Sequence, residues 1–190
     1  MLASATLSLY CQLAGLDPAT LSDTDRLAFH DLLNSWLRRG WHFYPWPQLL
    51  KLEQTTVSPD GFLQPPPPAA TWGSIISVHT RQPEPSTRSP GIHFTLTSSG
   101  PYVGKNRASA TLWAWHLPPC PTISPDSPSA EIPDHLATFA AHGAYTDFLR
   151  SEGQTQKALA ETRDPWDWLY DEIDSLARLQ SQPRLYQFRR

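Results

Sequence analysis

The stretch SDTDRLAFHDLLNSWLRRGWHFYPWP, residues 22–47, changes character twice. Ser22 can cap a helix, and Asp23 and Asp25 follow in the first turn, where the helix dipole favours acids. Apolar side chains recur at Leu27, Leu32, Leu33, Trp36 and Leu37, with Phe29 adjacent, which fits a 3.6-residue period. Arg38 and Arg39 suit a helix C-terminus and Gly40 suits its cap, so the pattern predicts a helix ending there. Trp41, His42, Phe43, Tyr44 and Trp46 then crowd five rings around Pro45 and Pro47, which exclude a regular helix. With Trp36 they form a candidate aromatic cluster: Trp36, Trp41, Phe43, Tyr44 and Trp46. The plain reading is a plug that packs the helix against the next layer. The other is an exposed aromatic surface for a partner or a sugar.

Outward from this stretch the prolines divide the chain. Fifteen of the twenty lie between Pro59 and Pro133, so a helix-hostile middle separates two helix-compatible ends. Upstream, residues 5–14 predict a short helix with Leu9, Tyr10 and Leu13 on one face, ended by Gly15 and Pro18. In the middle, SIISVHT (74–80), IHFTLT (92–97) and TLWAWHL (111–117) read as strands. Strict alternation puts Ile92, Phe94 and Leu96 on one face. It sets Trp113 and Trp115 against Leu112, Ala114 and His116. The run Pro65–Pro68 favours an extended polyproline connection. Downstream, Pro133 fits a first helical position, and Leu136, Phe139, Ala140, Ala144, Tyr145, Phe148 and Leu149 form a stripe. Gly143 lies within it, a place for close backbone approach, and Pro165 either kinks or divides the helix that follows. The expected class is α+β, in four parts: N-terminal helices (1–56), a Pro-rich antiparallel β domain (57–130), a helical return (131–180) and an extended arm (181–190).

The 190 residues include 39% apolar and 17% charged side chains, two cysteines and eight tryptophans, with a net charge of −3. Tryptophan at this density argues against disorder. The slight acidity gives no global footprint for nucleic acid. Cys11 and Cys120 cannot form a disulfide framework, which suits a reducing compartment. No apolar run approaches the roughly 18 residues of a membrane span, and the N-terminus lacks the basic opening of a signal peptide.

No HExxH, Walker, GxGxxG or GxSxG pattern is present, and the cysteines lack CxxC spacing. Of the seven histidines, His93 and His116 can face each other across the sheet, and His135 and His142 share a helix face, but pairs do not make a metal site. The expectation is therefore no catalytic residues, no metal and no cofactor. Asp164, Asp167, Asp171, Glu172 and Asp174 alternate with helix-period apolar residues as a solvated face does. A glycosidase would need two such acids in a cleft with pKa values pushed apart. Alternatively the acids line a passage for DNA, provided the protein is a ring. Lys105 and Arg107 in a loop are too few for a phosphate patch. Residues 131–180 hold ten acids against four bases, whereas 181–190 hold Arg184, Arg189 and Arg190 and no acid.

Three segments carry a resemblance. Arg38-Arg39-Gly-Trp41-His-Phe-Tyr-Pro-Trp46-Pro, with Phe62 and Leu63 opening the strands, resembles the start of phage head-to-tail connector proteins, which often read R-x-x-W, aromatic, W-P-x-L. HGAYTDFLRSEGQTQKA (142–158) resembles their return helix, A-A-x-D-x-L-R-x-E-G-Q-x-x-K-A, and residues 171–176 (DEIDSL) match its long closing helix. The middle is richer in proline than the family's, and Pro65–Pro68 has no counterpart in its motifs. The resemblance implies a non-enzymatic virion protein: an adaptor ring of about twelve copies beneath the portal, closed by heterologous contacts. Implied partners are sister copies, the portal and the next neck or tail protein. DNA passes through without specific binding, and no membrane is involved. It also implies assembly in the host cytoplasm, with Pro183, Arg184, Leu185, Tyr186, Phe188, Arg189 and Arg190 as a portal-binding arm. The residues alone leave open a lower position in the neck or tail, and a ligand- or carbohydrate-binding module built on Trp113, Trp115 and Trp72.

Overall fold

The computed structural model describes residues 1–65, 72–83, 91–124, 131–161 and 164–181, so Pro66–Pro68 and the arm 182–190 lie outside the described residues. The fold is α+β. The chain divides into a helical unit, Met1–Phe43 with Pro121–Arg190, and a sheet unit, Tyr44–Cys120.

The helical unit contains α1 (Ala3–Ala14), α2 (Asp23–Phe43), α3 (Asp134–Ser151), α4 (Thr155–Glu161) and α5 (Pro165–Ser181). α3 packs against each of the other four. Its buried residues surround the helix instead of forming one stripe, with Ala137, Ala141, Gly143 and Thr146 joining the expected large side chains. Small residues let neighbouring helices come close on several sides. Gly143 admits the Trp36 indole, which a Cβ there would meet. Gly40 does the reverse for α2: a Cβ would lie 2.8 Å from the Phe139 ring. Gly40 is therefore a packing notch inside α2. It does not cap the helix, which runs on to Phe43 before Pro45 stops it.

Local signals act as expected at the other helix ends. The Ser22 hydroxyl accepts from the Asp25 N–H at 3.2 Å, an N-cap, and donates to the Asp25 carboxylate at 2.6 Å. Gly15, at φ 69°, takes the left-handed turn that ends α1. Pro165 divides the return: α5 begins at it, and the Asp164 carboxylate accepts from the Trp166 N–H at 3.0 Å. α1 departs from its expected face. Ala3, Thr6, Tyr10 and Cys11 are buried, while Leu9 and Leu13 are half-exposed. The Tyr10 ring fixes this choice, lying 4.8 Å from Phe29 and 6.4 Å from Phe148.

The sheet unit orders its strands β1-β6-β2-β3, with β4-β5 as a second ladder, all antiparallel. The strands are β1 (Lys51–Thr56), β2 (Ser74–His79), β3 (Gly91–Ile92), β4 (Thr95–Thr97), β5 (Gly100–Tyr102) and β6 (Thr111–Leu117). β1 pairs with β6 along its whole length, from Lys51↔His116 to Thr56↔Thr111. This moves the first boundary from residue 56 to 43. It also moves the second from 130 to 120, because Asn34 of α2 holds Ile123 by both backbone groups, at 2.9 and 2.7 Å. IHFTLT is not one strand. β3 and β4 join different ladders, Phe94 packs against the core and Leu96 stays 69% exposed.

The two ladders are continuous through a turn. Ser58 donates its N–H to the Phe62 carbonyl, and the Leu63 N–H reaches Pro101, both within 2.9 Å. Residues 62–64 thus bridge β1 to β5. The ends of the combined ladder, β3 and β4, are separated in the chain by only His93 and Phe94, so the sheet curls over its core. That core holds Val57, Leu63, Ile75, Val78, Val103 and Leu112, with Trp72 and Phe94 against it. Gly61, at φ 91°, permits the turn; a Cβ there would lie 2.7 Å from the backbone of Gly104 and Lys105.

Candidate assembly surfaces

The candidate aromatic cluster is divided between the units. In the helical unit, Trp36 lies 5.3 Å from Phe139 and 6.2 Å from Trp166. Trp166 continues the network to Phe139 and Phe43, both at 5.0 Å, and Phe43 meets Tyr170 edge-on at 5.5 Å. Two polar contacts orient the centre. The Trp36 Nε1–H donates to the Asp147 carboxylate at 2.7 Å, and the Arg39 guanidinium lies 4.8 Å over the Trp36 ring. Trp41 is buried. Tyr44 and Trp46 belong to the sheet unit, where their rings sit 5.2 Å apart. α2 extends past Gly40, so Phe43 is still helical and meets α5.

The network surfaces at its α5 end. Phe43 and Tyr170 are 39% and 54% exposed, large values for rings that touch. Around them α5 carries its acids. Asp164 caps the helix; Asp167, Asp171 and Asp174 are exposed, and Glu172 is half-buried. These acids mostly occupy a solvated face, as their alternation with apolar residues suggested.

The α3 face under α5 holds the two spaced histidines. His142 lies 4.2 Å from the Trp168 ring, and burial pushes its pKa below the usual imidazole value. Burial does the same at His135, where the Glu172 carboxylate opposes it. His30 in α2 is lowered too, by burial and then by Arg26. Burial thus disfavours the charged form of all three imidazoles. Among the described residues no three His, Cys, Asp or Glu side chains are placed to hold a metal ion.

In the sheet unit the two faces of β6 separate as the alternation requires. Leu112, Ala114 and His116 are buried, while Trp113 and Trp115 are half-exposed on the outer face. Pairing aligns Trp113 with Gln54 and His79, and Trp115 with Leu52 and Ser77. The register shifts between Ile75 and Ser77, and Ile76 at that bulge is 45% exposed. Trp72 is not part of this face. It packs on the core, donates to the Leu63 carbonyl at 3.1 Å and meets the His116 ring edge-on. His116 is buried and bonds Glu53 at 3.0 Å, whereas His93 is exposed, so the two do not face each other. Ser77 Oγ and His79 Nε2 lie 2.9 Å apart, but His79 Nδ1 is buried and has no hydrogen-bond partner among the described residues. A hydrolase base is oriented by a carboxylate at that nitrogen.

Neither a family model nor a curated protein matches this chain. No described helix is long and apolar enough to cross a membrane. Two anchors escaped the sequence reading. Asn34 occupies a position that the helical period assigns to neither face clearly, and its partner is a backbone 89 residues away. Asp147 reads as an ordinary surface acid beside Arg150, yet it holds the central tryptophan.

Proposed function

We propose that the chain is a structural, non-enzymatic head-to-tail adaptor of a tailed phage. Copies close into a ring of about twelve beneath the portal, through one repeated heterologous contact. The ring contacts the portal on one side and the next neck or tail protein on the other, and DNA passes through it without specific binding. The acids of α5 are candidates for the conduit wall, where negative charge keeps DNA from adhering. The protein assembles in the host cytoplasm and ends in the virion.

The observation that carries this reading is the Phe43–Tyr170 pair, an aromatic network that breaks the surface of a helical unit beside exposed carboxylates. Such a patch favours contact with another protein. The three resembling segments support the choice of family. Native mass spectrometry of the purified protein, alone and with the cognate portal, tests the proposal. A ring or a portal complex is expected; a monomer that ignores the portal defeats it.

The outer face of the sheet supports a second reading. Half-exposed Trp113 and Trp115, rimmed by Gln54 and His79, suit a ligand with flat apolar faces and hydroxyls, such as a carbohydrate. Quenching of tryptophan fluorescence by cell-wall oligosaccharides, lost on Trp113→Ala, is the expected signature.

A further inference from the structure

The exposed aromatic pair and the chain's last residues have complementary chemistry. Tyr170 stands on α5 with Asp167 one turn before it and Asp174 one turn after, both exposed. Phe43 from α2 completes the apolar part, with Trp166 behind it at 5.0 Å. Beyond Ser181, where the described structure ends, come nine residues, QPRLYQFRR. They carry three arginines and no acid, interleaved with Leu185, Tyr186 and Phe188. Guanidinium groups pair with carboxylates and stack on phenol rings, so this segment fits that face in both charge and apolar character.

We propose that Pro183–Arg190 of one copy seats on the Phe43–Tyr170 face of a second copy. At full reach nine residues span about 30 Å, which covers the roughly 10 Å of α5 from Asp167 to Asp174 and leaves about 20 Å to cross to a neighbour. Donor and acceptor are different patches, so every copy gives a tail and receives one. Such a contact is heterologous and closes into a ring when its rotation allows. This rests on the ring reading above and gives the arm a sister copy, not the portal, as its acceptor.

The test uses full-length chains and sedimentation velocity, with circular dichroism as a check on folding. R184E/R189E/R190E reverses the donor, and D167K/D174K reverses the acceptor. Each alone should weaken self-association at least about tenfold. An equimolar mixture of the two should restore it, because each reversed patch then meets a complementary one. Carrying all five substitutions in one chain should restore it as well. Reversed variants that associate like the wild type overturn the inference and leave the ring intact. Loss that neither the mixture nor the combined chain repairs overturns it too. A wild-type chain that stays monomeric, whether the tail is free or folded onto its own α5, removes both the inference and the ring.

Discussion

The helical unit and the sheet unit hold together by different means. In the helical unit large rings enter notches made by glycine and alanine, as Trp36 does at Gly143 and Phe139 at Gly40. In the sheet unit a small aliphatic core is wrapped by a curled ladder whose turn depends on Gly61. One unit is sensitive to volume and the other to backbone conformation. Substitutions that separate these sensitivities put the contrast at risk.

The largest effect is expected from Phe139→Ala. This ring is fully buried and touches Trp36 and Trp166 at once. Its removal should cost about 3–5 kcal/mol, typical of a large-to-small change where the surroundings cannot collapse. Urea unfolding gives the magnitude, and hydrogen exchange should assign the loss of protection to α2, α3 and α5. Equal loss throughout the sheet unit would mean that the two units do not fold separately, and the contrast would be false.

Gly61→Ala probes the other side. A left-handed φ of 91° strains any side chain, and the added methyl would meet backbone, which cannot rotate away. A loss of about 2–3 kcal/mol is expected, with protection falling first at 56–64 and 100–103. An unchanged midpoint would show that the turn relaxes freely and that the ladder does not depend on it.

The same contrast explains how far the sequence could be read. α2 was legible because capping and period are local: Ser22, Asp25 and the Leu27–Leu37 spacing lie within a few turns of one another. Gly40 was misleading because a helix-ending glycine and a packing-notch glycine look alike until Phe139, a hundred residues away in the chain, is placed. β1 hid for a related reason. KLEQTT shows one large apolar side chain, and Thr55 is buried only because the curl folds over it, its hydroxyl bonded to the Gln64 carbonyl. IHFTLT alternated well and still broke, since the sheet must turn a corner between Ile92 and Thr95. Trp113 and Trp115 were assigned correctly to the face opposite Leu112 and Ala114, because alternation within a strand is local. Of the candidate surfaces, the Phe43–Tyr170 contact was not visible. It joins two residues that only the docking of α5 brings together.

Asn34→Ala should have a smaller and more local effect. The side chain is buried and satisfies both the carbonyl and the N–H of Ile123. Truncation leaves those groups without partners, for an expected loss of about 1–3 kcal/mol. Exchange at residues 121–124 should accelerate more than exchange in α3. If α3 responds equally, Asn34 is part of the helical core and does not act as a clasp on the returning chain.

The smallest expected effect is on pH. In the helical unit His30, His135 and His142 all have folded pKa values lowered by burial from the ordinary 6.5. The unfolded chain therefore binds more protons than the native one below that value, and stability rises with pH across the window. The full contribution is present above 6.5 and is lost as pH falls from there through the folded values. Glu172 opposes the shift at His135 and Asp31 opposes it at His30, whereas burial is the one cause at His142. Urea midpoints measured by hydrogen exchange between pH 7.5 and 5 should decline for α2, α3 and α5. His142→Gln should flatten part of that decline, because a neutral amide replaces the imidazole against Trp168. A profile of the same slope in the variant would remove His142 from the account. A flat wild-type profile would mean that water reaches all three rings, and that the helical unit is less tightly packed than its glycine notches imply.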